Sequence, residues 1–272
     1  MISMTNVEEI VKLQTWRRSK FLVLTVAATL GFIFLLAGKT PAQSADLSVF
    51  TSDGMKPAVE ALEPQIEQSI GRKLSPHFDA SKTLRDEILS GAPFDVAILT
   101  SDVIDELVKQ GKIAPATRTD LARTGMGVGI RSGAAKPDIS TAEALKRTLL
   151  KAKSVSFNPS GASAAHINAM FAQLEIAEAM KPKLLLDPVA GAPQKHVAEG
   201  KAELVITLIP EIKFFPGVEL AGPLPGDLQS YISFSAGVAA NPHNADAAMA
   251  LIKYIASPAA ASTLKASAME PH

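Results

Sequence analysis

The chain has 272 residues, 47% of them hydrophobic, with 27 basic and 27 acidic side chains and no cysteine. That length fits one large or two smaller α/β domains. Zero net charge without a basic stripe argues against nucleic acid as a partner, and the lack of cysteine excludes a disulfide framework, a thiolate nucleophile and a cysteine metal site.

Arg17, Arg18 and Lys20 precede an apolar run over residues 21–37, then Gly38-Lys39-Thr40-Pro41 and the small-residue patch Ala42-Gln43-Ser44-Ala45. A basic start, an apolar centre and a small-residue exit make a secretory signal over residues 1–44, cleaved after Ser44 and directing the protein to the periplasm. An uncleaved anchor is the alternative, but the run falls short of the roughly 20 residues a spanning helix needs. Lys20 sits where a twin-arginine signal wants an apolar residue. Cleavage leaves a net charge of −3, so an anionic ligand would be held by local dipoles rather than by the overall field.

Residues 47–51 read as a short apolar strand, followed by Ser52-Asp53-Gly54. Met55, Val59, Leu62, Ile66 and Ile70 then recur at helical spacing. Ser52 or Asp53 is placed to cap this helix, Gly71 to end it and Pro64 to kink it. Residues 74–78 form a second strand, and Ser81, with Lys82 beside it, opens a helix running to about residue 89. A buried-type strand covers 94–99. Ser101 caps the next helix and Gly111 ends it. Gly125-Met126-Gly127-Val128-Gly129-Ile130 places its glycines inside an apolar run, so it reads as a closely packed strand and not as a dinucleotide loop. A linker follows over 131–138, and Ser140 with Glu143 forms a capping box for a helix over 141–151.

The stretch Ser154 to Ile167, S-V-S-F-N-P-S-G-A-S-A-A-H-I, carries the clearest chemistry. It reads as a strand (155–157), a tight loop (158–160) and a helix opening at 161–163. The first N–H groups of a helix have no intrahelical partner and carry partial positive charge, so this junction is an anion seat. Gly161 and Ala162 bring the backbone close, and Ser160 and Ser163 each offer an O–H donor. The alternative is that Ser160 only caps the helix. Further strands cover 183–186, 204–208, 218–222 and 231–239, with a short helix over 194–199. A helical pair over 245–265 is split at Ser257-Pro258.

Strands alternating with helices indicate an α/β fold with an open, mainly parallel sheet covered on both faces. In such sheets ligands sit beyond the carboxyl ends of the strands, which places Ser52, Ser81 and Ser160/Ser163 on one rim. Asp53 is a poor wall for an anion and more naturally caps or orients. None of His77, His166, His196, His243 and His272 shows metal-ligand spacing, and no metal or cofactor is expected. His166 follows the anion seat by three residues: a ligand contact, a general base, or a plain surface histidine. Arg85 can share a helical face with Lys82 or be a solvated charge. Glu211 and Lys213 follow the Thr207 strand and either line the cleft or face solvent, with solvent the favoured reading. No Gly-x-Ser-x-Gly elbow supports a serine hydrolase.

The segments V-F-T-S-D-G-M, D-A-S-K-T-L-R-D-E-I, G-A-P-F-D-V-A-I-L and A-E-G-K-A-E-L-V-I-T come in an order and spacing that resembles the class II periplasmic solute-binding proteins, within them the molybdate-binding branch. The resemblance spans residues 47–271. It implies a two-lobed α/β fold with a ligand cleft between the lobes. Lobe 1 is expected over 45–125, with 241–272 returning to it, and lobe 2 over 126–240. It also implies a monomer that delivers a small anion, a molybdate-like oxyanion or a small carboxylate, to the membrane subunits of an ATP-binding cassette transporter. Carried over by position, Ser52 and Ser81 match the ligand-binding hydroxyls and the mouth at Ser160–Ser163 the third contact region. Thr207 falls where the branch places a tyrosine. Asp53-Gly54 and Lys82 are further departures; the lost tyrosine and the added cation suit a carboxylate as well as molybdate. The segment G-I-R-S-G-A-A-K-P-D-I-S-T-A-E-A-L-K-R-T-L-L and the tail A-S-A-M-E-P resemble a subgroup to which aconitate isomerase, a periplasmic enzyme, is similar. Cofactor-free isomerisation of an unsaturated tricarboxylate is therefore the alternative function, with Lys82, Arg85 and the helix mouths as holders and His166 or Asp53 as the base.

Overall fold

The structure, a computed structural model, describes residues 46–272; the expected signal segment lies outside them. In chain order the elements are β1 (Leu47–Ser52), α1 (Lys56–Ile70), β2 (Leu74–Asp79), α2 (Ser81–Leu89), β3 (Val96–Thr100), α3 (Ser101–Lys109), β4 (Thr119–Arg131), α4 (Ala142–Lys151), β5 (Val155–Phe157) and α5 (Ala164–Gln173). There follow α6 (Ala177–Met180), β6 (Leu184–Leu186), α7 (Ala192–Ala198), β7 (Leu204–Leu208), α8 (Ile209–Lys213), β8 (Val218–Pro223), β9 (Tyr231–Val238), α9 (Ala245–Ile255), α10 (Pro258–Ala266) and β10 (Glu270–Pro271).

The strands run in the order β2-β1-β3-β9-β4-β7-β5-β6, with β8 and β10 also paired to β4. β1 pairs in parallel with β2 and β3, and β5 in parallel with β6 and β7. β9 and β4 are antiparallel to their neighbours and join these two parallel sets. β4 changes partners along its length. Its first half, to Gly125, faces β9, and from Met126 onward it faces β7. The glycine run is therefore the second half of a 13-residue strand. Its glycines meet close neighbours: a Cβ on Gly129 would lie 2.7 Å from Val205 and 3.0 Å from Ile212.

The helices follow the apolar spacing. α1 buries Val59, Leu62 and Ile66 against the sheet and ends at Gly71, which takes the left-handed conformation (φ 65°) that a Cβ would penalise. Pro64 is accommodated within it. Two expected caps are replaced. Ser101 is the first residue of α3, and its hydroxyl bonds Ser235 Oγ on β9 at 2.7 Å. Thr141, not Ser140, caps α4, accepting from the Ala144 N–H at 3.1 Å, while Ser140 donates to Asp138. The third residue of a helix needs its N–H satisfied, and the hydroxyl one position nearer wins.

Asp95, 1% exposed, ties the return of the chain to the first parallel set. One carboxylate oxygen accepts from the Ser48 N–H at 3.0 Å, the other from the His243 and Asn244 N–H groups at 2.7 and 3.2 Å.

Candidate functional site

The carboxyl ends of β1, β2, β5 and β7 open on one cavity of about 420 Å³. β1 and β7 pass straight into a helical turn or helix, β2 reaches α2 after one residue, and β5 reaches α5 through the loop 158–163, so several helix starts lie at the strand ends that border the cavity. Ser52 ends β1 at the cap position of the turn Asp53–Met55, and its side chain makes no cap hydrogen bond. Ser81 opens α2; its Oγ accepts from the Thr100 N–H at 3.0 Å, which leaves its hydrogen to donate. Ser163 precedes α5 and makes no cap hydrogen bond. All three serines are 3% exposed and all line the cavity.

The opposite wall is acidic and amide-bearing. Thr207, 5% exposed, donates from Oγ1 to Glu211 Oε2 at the start of α8. Gln194 Nε2 on α7 reaches the same oxygen at 3.4 Å, while Gln194 Oε1 is buried without a partner. Burial pushes the Glu211 carboxyl up to about 7, helped by the charge of Asp53 and opposed by the hydrogen bonds from Thr207 and Gln194. Asp53 is pushed up to about 6, by burial first and by Asp79 second, against the pull of Lys56 and His77. Lys56 is the cation on the lining, its Nζ 5.2 Å from the centre of the Phe78 ring. Phe214, Phe215 and Pro216 add an apolar section at the rim.

The structure thus brings together seven of the sequence-derived positions: Ser52, Asp53, Ser81, Gly161, Ala162, Ser163 and Thr207. Others lie off the lining. Gly54 packs inward, and a Cβ there would lie 2.6 Å from the Phe234 ring and 2.8 Å from Leu208. Lys82 and His166 are exposed on α2 and α5. Ser160 is exposed too; its N–H donates to Asn158 Oδ1 at 2.8 Å, so it belongs to the turn and not to the helix mouth. Ser81 starts α2 and Ser163 immediately precedes α5, whereas Lys82, one residue on, and His166, three residues on, stand on other faces of their helices. Arg85 is held by Asp86 and Glu106.

Glu211 lines the cavity, the alternative to the favoured expectation of solvent exposure, and Lys213 lies off the lining. Gln194, Lys56 and Phe78 are cavity residues that sequence reasoning did not single out. A usable signal existed for Glu211, three residues past the buried strand end at Leu208 and next to Pro210, in the first turn of the helix that opens at Ile209. Gln194 had none, because its neighbour across the cavity comes from another element.

The family model for bacterial extracellular solute-binding proteins matches residues 47–270. The aconitate isomerase of a Pseudomonas species is 30% identical over 254 residues, covering 89% of this chain and 96% of its own. The molybdate-binding protein ModA of Azotobacter vinelandii is 28% identical over 236 residues, 83% of this chain and 90% of its own. The solved periplasmic molybdate-binding protein of the same organism superimposes with a TM-score of 0.68 at 18% identity, over 82% of this chain and 98% of that one. A match along the whole described chain, on a two-lobed fold with its cavity at the strand ends, places this protein in the family of bacterial extracellular solute-binding proteins.

Proposed function

We propose that the protein is the periplasmic binding component of an ATP-binding cassette transporter, capturing a small anion in the cavity between its lobes. The observation that carries this reading is the convergence of three buried serines, Ser52, Ser81 and Ser163, whose O–H hydrogens are not committed within the described residues. Hydroxyls and helix-start N–H groups stabilise an anion without a matching cation. The hinge, in this reading, crosses β4 at Gly125/Met126, where the strand changes partners, and the chain returns before Tyr231, since β9 pairs with β3. Closing the lobes about that hinge would exclude water from the ligand. The transporter's membrane subunits are the partner, and the binding protein works as a monomer.

Hydrogen bonds to a charged ligand contribute about 1.5–3 kcal/mol each. Replacing Ser81 and Ser163 together by Ala should therefore weaken the anion by roughly a hundredfold or more, read by isothermal titration calorimetry. Unchanged affinity in the double variant would remove this site.

A second reading has its own observation: two carboxyls, Asp53 and Glu211, that titrate near neutrality inside the cavity. Such groups suit proton transfer at pH 7. Cofactor-free isomerisation of an unsaturated tricarboxylate would use one to take the allylic proton, with the serines holding the carboxylates. His166, exposed and off the lining, is the weaker base candidate. A proton NMR time course with trans-aconitate separates the readings. Appearance of cis-aconitate, lost in Asp53→Asn or Glu211→Gln, establishes the isomerase; an unchanged spectrum over hours at micromolar protein leaves binding alone.

A further inference from the structure

The charged groups on the cavity lining do not balance. They are Asp53, Lys56, Glu60 and Glu211, three carboxyls and one ammonium. Lys56 is exposed and already shared, with Glu60 at 3.8 Å and with the face of the Phe78 ring. Asp53 and Glu211 are partly buried, and neither has a cation within ion-pair distance among the described residues. Asp53 stands in the turn after β1 and Glu211 on α8 after β7. These two elements pack against each other, with Gly54 against Leu208 at the end of β7. Around Asp53 stand Lys56, Asp79 and His77, the last paired with Glu87 at 2.9 Å. Around Glu211 stand Thr207, Gln194 and Asp53. Of the strands beside α8, β4 brings Gly127 and Gly129 towards it, and the charged group of β8, Glu219, is paired with Lys136 at 3.7 Å.

An anion that enters while both carboxyls are ionised adds charge to a wall already negative, in a space where like charges are poorly screened. A proton on either carboxyl removes one charge and supplies an O–H donor. Glu211 Oε2 accepts from Thr207 and Gln194, so a proton on its other oxygen leaves those bonds in place.

We infer that the site takes up its anion together with a proton from solvent, held on the Asp53–Glu211 pair, so that capture strengthens as pH falls and the proton leaves with the anion. This rests on the reading of the cavity as a small-anion site and adds the condition under which that site fills. The direction follows from linkage. The two carboxyls already keep their protons up to about 7 and about 6, and a bound anion holds them more tightly still. Above those values each captured anion has to draw its proton from solvent, so affinity falls by about tenfold per pH unit for one proton.

The test is calorimetric titration of the purified protein at pH 6 and pH 8 with sulfate, molybdate and trans-aconitate, all fully ionised over that range. The probe that binds most tightly at pH 6 should bind about tenfold or more weakly at pH 8. At pH 7.5 its apparent enthalpy should vary between HEPES, imidazole and Tris in proportion to the buffer's ionisation enthalpy, with a slope of about half a proton or more taken up per anion. The Asp53→Asn/Glu211→Gln double variant, its fold confirmed by circular dichroism, should lose most of both dependences. Equal affinity at the two pH values without buffer dependence would overturn the inference and leave the anion-binding reading intact. The parent's dependence persisting in the folded double variant would also overturn it, because the proton would then sit on another group such as His77 or His166. Binding of none of the three probes at pH 6 would sink the inference and the anion-binding reading together. If the double variant does not fold, the buffer series on the unaltered protein still decides whether a proton enters with the anion.

Discussion

Asp53 and Glu211 are the residues where environment most changes chemistry. Both carboxyls keep their protons to higher pH in the folded chain than in the unfolded one, where Glu titrates at 4.5 and Asp at 3.8. A group that binds its proton more tightly when folded favours folding at acid pH, and that advantage is lost as pH rises through the folded value. For Glu211 the window runs from 4.5 to about 7. Glu211→Gln should consequently melt at nearly the parent's temperature near pH 4.5 and several degrees above it at pH 8, followed by thermal denaturation. Equal differences at both pH values would show that the Glu211 site carries no such penalty. The residue types at the serine wall were legible in sequence, because Ser52, Ser81 and Ser163 sit at strand-to-helix junctions. What hid Gln194 is that its place at the site comes from Glu211, 17 residues further along the chain.

At the scale of elements, β4 does the joining, and its glycines make that possible. β7 and β8 flank its second half and α8 lies over it, with Val205, Ile212 and Val218 all within 3.1 Å of where a Gly129 Cβ would stand. Gly54 plays the same part at the end of β1, under Phe234 of β9 and Leu208 of β7. Overpacking a filled site typically costs 1–3 kcal/mol. Gly54→Ala should cost about that much in urea unfolding, because the fully buried Phe234 ring and Leu208 would have to shift to admit the methyl group. A neutral result would show slack at this junction. The apolar run around Gly125–Ile130 was readable as a closely packed strand, yet its start at Thr119 was not. Thr119-Asp120 and Arg123-Thr124 are polar, and they become strand because β9 lies beside them.

For the whole molecule, stability depends on how the late part of the chain is pinned to the early part. Asp95 bonds three backbone N–H groups, one on β1 and two at the entry to α9. Asp95→Ala would leave them without their partner in a partly buried setting and should cost about 3 kcal/mol, measured by denaturant unfolding; a change below about 1 kcal/mol would mean water replaces the carboxylate. Ligand acts at the same scale. At a hundred times its dissociation constant it should stabilise the folded chain by about 2.7 kcal/mol, visible as a rise of several degrees in melting temperature for a chain of this size. By itself the sequence determined most of the local alphabet: where the main strands and helices lie, that they alternate, and that hydroxyls stand at the junctions; the short helices at Ala177–Met180 and Ile209–Lys213 were not legible there. Those features follow from periodicity, turn chemistry and the unpaired N–H groups of a helix start, all interactions between residues close in sequence. Only the tertiary structure decided that β9 lies between β3 and β4, that Lys82, Ser160 and His166 turn away from the cavity, and that Glu211 and Gln194 turn into it. These outcomes are set by which segments, far apart in sequence, pack against one another, and that packing also creates the desolvated space in which two ordinary carboxyls become groups that titrate near neutrality.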